Sequence, residues 1–231
     1  TKSFAGIPLN KKIIMGVLNL SSETFYNGSL VEDAEKAARR AEEMVDEGAD
    51  IIDLGAMSTG PDVEPISPEE ETEKLLPTLK AVRERIDVPI SIDTQRAKVA
   101  EKALKQGADL INDVSGFKAD RKMARVVASA GSQISGRIRT AEKEGGDIKS
   151  MKDIENGLRE SLQICKDYGV EREKIAIDPA IGFGRGAEWD LKVLASIENL
   201  QTFKLPICIG VSRKSFIGKV LDLDDPSKRL F

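Results

Sequence analysis

Short apolar runs alternate with longer helical patterns along the whole chain. Six such runs predict strands: Ile13–Leu18, Ile51–Leu54, Pro89–Asp93, Leu110–Val114, Ile175–Asp178 and Pro206–Gly210. Each spans four to six residues with little polar alternation, the pattern of parallel strands covered on both faces. Between the first two, Ala34, Ala37, Ala38, Ala41, Met44 and Val45 form a stripe at helical spacing, and Ser29 with Glu32 has the form of a capping box at its start. Ser67-Pro68-Glu69-Glu70 predicts a second helix start, with a cap residue, a proline in the first turn and an acid three places on. Repetition of strand then helix in one direction predicts a parallel α/β architecture.

A weak internal repeat supports it. Glu47-Gly48-Ala49-Asp50-Ile51-Ile52-Asp53 resembles Gln106-Gly107-Ala108-Asp109-Leu110-Ile111-Asn112. In each, a helix ends at glycine, the chain turns, and a buried strand carries a polar residue to its far end. The interval between the strand starts at 110 and 175 is about twice the usual one, so a further unit belongs near 131–150. That stretch is polar and glycine-rich and offers no convincing buried strand. The expectation is a TIM (β/α)8 barrel forming a single domain over residues 1–231, with its fifth unit irregular and its eighth absent from this chain. A doubly wound open sheet is the alternative, although no G-x-G-x-x-G follows the first strand.

Composition narrows the chemistry. Apolar residues make up 40% of the 231 and charged residues 32%, as in a folded globular domain. The net charge of −4 and the lack of a basic run argue against nucleic acid or a membrane surface as partner. No apolar stretch is long enough to span a membrane, and the two cysteines, Cys165 and Cys208, read as thiols of a reducing, cytoplasmic compartment. Histidine is absent, which excludes a Ser–His–Asp or Cys–His pair and a His-ligated zinc in the chain as given.

In a parallel α/β barrel the active site lies at the carboxyl ends of the strands. Those ends carry Asn19, Asp53, Asp93, Asn112 and Asp178, and Ser212-Arg213-Lys214 follows the last strand. Asp or Asn after a strand often caps the next helix, but a whole ring of them is hard to explain by capping. A carboxylate can accept two parallel hydrogen bonds from an amino–imino edge, Asn can read a neighbouring edge, and Lys can donate to a ring carbonyl or neutralise a phosphate. The implied ligand is a flat, polar, nitrogen-rich heterocycle held edge-on. Asp53 is read equally as a ligand contact or as a residue that orients the barrel top.

The same residues carry a resemblance to the dihydropteroate synthase family of pterin-binding barrels. Met15-Gly16-Val17-Leu18-Asn19-Leu20-Ser21-Ser22-Glu23-Thr24-Phe25 resembles that family's first-strand signature, and Asp53-Leu54-Gly55-Ala56-Met57-Ser58-Thr59-Gly60-Pro61 its second-strand loop. Ser91-Ile92-Asp93-Thr94, Ile111-Asn112-Asp113-Val114, Asp178-Pro179-Ala180-Ile181-Gly182-Phe183-Gly184 and Gly210-Val211-Ser212-Arg213-Lys214-Ser215-Phe216-Ile217-Gly218 follow in order. The resemblance implies condensation of a 6-hydroxymethyl-dihydropterin diphosphate with 4-aminobenzoate or a related arylamine, with release of diphosphate. It implies pterin contacts from Asp93, Asn112, Asp178, Phe183 and Lys214. Asn19 falls at the diphosphate–Mg2+ end, and Thr59, Ser212 and Arg213 on the arylamine side. Lys214, Asp93 and Asn19 are the implied catalytic set, and a homodimer is the implied assembly.

The chain departs from the family pattern where Met57 replaces a Glu and Gly60 an Arg, both on the arylamine side, which suggests an archaeal-type member with a larger amine. The family's Met-His segment after the fifth strand and the Arg-x-His anchor of its last strand are not found in this chain. Other readings of the same residues are a pterin-dependent methyltransferase and a non-catalytic pterin-binding homologue. Gly182-Phe183-Gly184-Arg185-Gly186 lacks the Lys-Ser/Thr of a nucleotide loop.

Overall fold

A computed structural model describes residues 3–20, 30–56, 66–130, 135–139, 150–183, 185–223 and 225–229. A small antiparallel hairpin, β1 (Ser3–Phe4) with β2 (Ile7–Pro8), comes first. Strands β3 (Met15–Asn19), β4 (Ile51–Gly55), β5 (Ile90–Asp93), β6 (Leu110–Asp113), β7 (Ser135–Arg139) and β8 (Ile175–Asp178) then form one parallel sheet in chain order. The helices are α1 (Leu30–Asp46), α2 (Pro68–Arg83), α3 (Ala97–Lys105), α4 (Lys122–Ser129), α5 (Met151–Asp167), α6 (Ala187–Ala195) and α7 (Ser215–Leu221). Strands that neighbour each other in the order they are made define a singly wound α/β barrel. A doubly wound sheet reverses direction at a switch point, and none occurs here among the described residues.

Helix α2 begins as its sequence predicts. Ser67 is the N-cap and its hydroxyl accepts from Glu70 N at 3.1 Å, with Pro68 in the first turn. Leu75, Leu79 and Val82 on its buried face have no exposed surface, and each contributes about 2 kcal/mol of apolar burial. Ser29 lies outside the described residues, so its capping role is not placed.

The internal repeat corresponds to two matching junctions. Gly48 (φ +108°) and Gly107 (φ +99°) take backbone conformations that favour glycine. Ala49 N returns to Met44 O at 2.8 Å and Ala108 N to Ala103 O at 3.1 Å. Asp50 Oδ2 then accepts from Ile14 N at 2.9 Å and Asp109 Oδ2 from Ile90 N at 2.8 Å. Each aspartate thereby ties the start of its own strand to the strand before it, and each is paired with a cation, Lys11 at 2.6 Å and Arg83 at 2.5 Å.

Phe4 from the hairpin packs with Ile51, Leu110 and Ala176, which lie at or near the amino ends of alternate strands β4, β6 and β8. The hairpin therefore closes the amino end of the barrel, which leaves the carboxyl ends for chemistry. Sequence reading did not foresee this plug, because two-residue strands carry no periodicity.

Three expectations need correction. Residues 131–150 do contain a strand, β7, paired in parallel with both β6 and β8. Its sequence SGRIR lacks an apolar run, and backbone pairing rather than side-chain pattern makes it a strand. Pro206–Gly210 contributes a single parallel bridge, Ile177 with Ile207, framed by Ile177 N to Pro206 O at 2.9 Å and Cys208 N to Ile177 O at 2.8 Å. Strand β3 pairs on one side only among the described residues, so Val17 is 63% exposed where burial on both faces is expected.

Candidate active site at the carboxyl ends of the strands

Pairing register places the polar residues. Asn19 is the partner of Gly55, Gly55 of Asp93, and Asp93 of Asn112, so one row crosses four adjacent strands. Parallel strands of similar length deliver their last residues at one level. Asn112 has no exposed surface, Asp93 is half-buried and Asn19 is exposed. Asp178 ends β8 and is also buried.

The turn after Asp178 is built for presentation. Asp178 Oδ1 accepts from Ala180 N at 2.7 Å, and Ala180 sits at φ +58°. Arg185, which sequence reading assigned no role, donates from Nη2 to the carbonyls of Pro179 and Ala180 and pins the turn from behind. Gly182 N donates to Asp190 Oδ1 at 3.0 Å. Beyond this turn, the Lys214 ammonium lies 4.0 Å from the centroid of the Phe183 ring, a cation–π contact that brings together two residues 31 positions apart.

Lys214 and Gly182 are in close contact. A Cβ on Gly182 would fall 2.6 Å from Lys214 Cδ, and Gly182 holds φ +77°. Gly182→Ala is expected to cost about 1–2 kcal/mol of backbone strain and to push the lysine side chain off Phe183. The pterin contact that the resemblance implies for Lys214 predicts a fall of about tenfold in pterin affinity with the protein still folded. Calorimetric titration beside a thermal melt checks it, and unchanged affinity counts against Lys214 as a pterin contact.

The motif Asn112-Asp113 divides its labour. Asp113 is a cap, with Oδ1 accepting from Ser115 N at 2.7 Å and Oδ2 from Phe117 N at 3.2 Å. Burial pushes its carboxyl up from 3.8 to about 6, against the lowering effect of those bonds. A carboxyl whose pKa is raised on folding contributes stability that is full below its unfolded pKa and is lost as pH rises through the folded one. Relative to Asp113→Asn, the wild-type protein is therefore expected to lose about 2 kcal/mol between pH 4 and pH 7. Denaturant titrations of both proteins at the two pH values test this.

Buried Glu71 on α2 is the other residue sequence reading passed over. It accepts from Thr94 Oγ1 at 2.6 Å and from Arg96 Nη1 at 2.6 Å, while Arg96 Nη2 donates to Ile66 O at 2.6 Å. This network ties the residue after Asp93 to the chain next to residues 57–65. Its signal was available, since Glu71 falls in helical register with the buried Leu75, Thr78, Leu79 and Val82.

Of the remaining candidates, Ser212 and Arg213 are exposed in the turn before α7, with Arg213 at φ +56°. Thr59, Met57 and Gly60 lie outside the described residues. Asp53 is buried and accepts from Asn112 Nδ2 at 2.8 Å through Oδ2. Among the described residues no cluster of three or more Cys, Asp or Glu side chains could hold a metal, and no helix is long and apolar enough to cross a membrane.

Fold and site together define an α/β barrel with a donor-seeking, carboxylate-rich mouth. The sequence matches the pterin binding enzyme family over residues 15–231. It is 44% identical to the dihydropteroate synthase of Clostridium beijerinckii, over 91% of this chain and 77% of that protein. With the Bacillus subtilis dihydropteroate synthase it shares 38% identity, over 92% and 74%. The structure superposes with TM-score 0.89 on Clostridium difficile dihydropteroate synthase solved in the presence of pteroic acid, at 38% identity over 96% of this chain and 83% of that one. It also matches the Xanthomonas albilineans enzyme with 4-aminobenzoic acid, with TM-score 0.89 at 25% identity, over 96% of this chain and 80% of that one. The chain belongs to the dihydropteroate synthase family of pterin-binding enzymes.

Proposed function

We propose that the barrel mouth seats a 6-hydroxymethyl-dihydropterin diphosphate edge-on and transfers its pterinyl-methyl group to 4-aminobenzoate or a related arylamine. The activity itself, a dihydropteroate synthase transferase, is that of the relatives. The observation that carries the residue assignment is the single row Asn19–Gly55–Asp93–Asn112 with buried Asp178 beside it. Asp93 and Asp178 accept from the amino–imino edge, Asn112 reads the adjoining edge, and Lys214, held over Phe183, donates to the ring. Two bonds exchange. The amine lone pair forms the new C–N bond at the exocyclic methylene, the C–O electron pair leaves on diphosphate, and the amine gives up one proton to solvent. Positioning and stabilisation of the departing charge suffice for this, and no strong protein base is required.

Asn19 suits a Mg2+ bound mainly by diphosphate and water, because it supplies one neutral oxygen at an exposed strand end and magnesium commonly keeps its waters. When bound there, the ion offsets charge on the leaving diphosphate. Ser212, Arg213 and Thr59 are assigned to the arylamine side. A single barrel domain, a homodimer and a cytoplasmic location complete the reading, the last supported by two free thiols.

The test is a calorimetric titration with 6-hydroxymethylpterin diphosphate, with and without Mg2+, followed by an assay of diphosphate release on adding 4-aminobenzoate. Saturable binding that Mg2+ strengthens is expected. A folded protein that binds none overturns the assignment.

A further inference from the structure

We infer that Asp53 is a positioning residue that sets which way the Asn112 amide faces. The two side chains come from β4 and β6 and meet across β5, with Asp53 2% exposed and Asn112 fully buried. A carboxamide presents a donor on one side and an acceptor on the other, and a half-turn about its last bond exchanges them. A carboxylate only accepts. The 2.8 Å contact with Asp53 Oδ2 therefore holds Nδ2 toward β4 and leaves Oδ1 as the atom offered elsewhere.

That offered atom lacks a partner. Asn112 Oδ1 is buried without a hydrogen bond among the described residues, as are Asp53 Oδ1 and Ser91 Oγ. Ser91 is the register partner of Asp53 on β5, so the unsatisfied atoms belong to one small cluster on three adjacent strands. An orphaned buried acceptor is costly, and the cost is removed when a ligand supplies an N–H. Asp53 thus fixes the side on which Asn112 presents its acceptor, and acts on the ligand only through it. This rests on the proposed reading that Asn112 faces the pterin.

The test uses three variants: Asp53→Asn, Asn112→Asp and the double exchange. In Asp53→Asn the facing amides satisfy each other in either orientation, so the acceptor is no longer enforced. Affinity for 6-hydroxymethylpterin diphosphate should fall about tenfold, with the KM for 4-aminobenzoate unmoved. Asn112→Asp opposes two carboxylates and should lose more. In the double exchange the new amide on β4 donates to the new carboxylate on β6, whose second oxygen stands where the wild-type Oδ1 stood. Binding should then recover to at least ten times that of Asn112→Asp. Equal affinity of Asp53→Asn and wild type overturns the inference, as does a double exchange no better than Asn112→Asp.

Side-chain amide resonances of Asn112 in the ligand-free protein give a second readout. They should show one protected, hydrogen-bonded N–H2 in wild type and weaker protection in Asp53→Asn, where the amide populates both orientations. Unchanged protection also overturns the lock. A lock present in a protein that binds no pterin would instead locate the failure in the functional reading.

Discussion

Asp178→Asn is expected to weaken pterin binding about a thousandfold while the protein stays folded. In the proposed reading the carboxylate has two separate tasks. Oδ1 accepts from Ala180 N at 2.7 Å and holds the turn that leads to Phe183, and asparagine keeps that acceptor. The other oxygen becomes an N–H2, which meets the donor edge of the ligand with a donor of its own. Loss of a charge-assisted bond and an unpaired ligand donor together amount to about 4 kcal/mol. At about 1.4 kcal/mol per decade, that is about three decades of affinity. Titration with 6-hydroxymethylpterin diphosphate measures it, and a thermal melt within a few degrees of wild type separates it from misfolding. Retention of binding within tenfold removes Asp178 from the site.

Glu71→Ala should be the most destabilising single change among those considered, by about 3 kcal/mol. Glu71 has no exposed surface and serves both the Thr94 hydroxyl and the Arg96 guanidinium. Its removal leaves a buried hydroxyl and a cation without their acceptor, and breaking a buried pair from one side costs more than the pair contributes when whole. Arg96 is only 25% exposed, so water recovers part of that loss and places the value at the low end of the usual range. For a domain of this length, the melting temperature should drop by about 10 °C. Glu71→Gln keeps the shape and one acceptor and should cost about half as much. Denaturant titration of the three proteins settles the order, and a loss below about 1 kcal/mol for alanine would show the network to be dispensable.

The barrel was legible where side-chain pattern and backbone pairing agree. Ile51–Gly55, Ile90–Asp93, Leu110–Asp113 and Ile175–Asp178 are apolar runs with polar residues at or near their ends, and both halves of that pattern follow from burial along the strand and presentation at its end. Ser67 was legible because a cap, a proline and an acid at fixed spacing serve one set of exposed N–H groups. Ser135–Arg139 was not, because pairing by neighbours on both sides makes a strand from residues that carry no apolar run. Of the site, Asn19, Asp93 and Asn112 lie at or next to the ends of their strands as read, whereas Asp53 lies two residues before the end of β4 and Gly55 takes its place in the row. Which of them act on each other was hidden. Nothing in spacing separates Asp53, which touches Asn112, from Asp113, which caps its own turn.

The paired junctions at Gly48–Asp50 and Gly107–Asp109 carry a consequence for how such a chain can change. Each fastens a strand at its origin with the same three parts, a left-handed glycine, a returning amide and an aspartate clasp on the preceding strand. The foundation of the barrel is thus standardised, like one joint used twice in a frame. Because each joint is fixed at the opposite end from the ligand, the loops above it can be rewritten without loosening what they stand on. These two joints do not depend on the mouth, so a change of second substrate there leaves them in place.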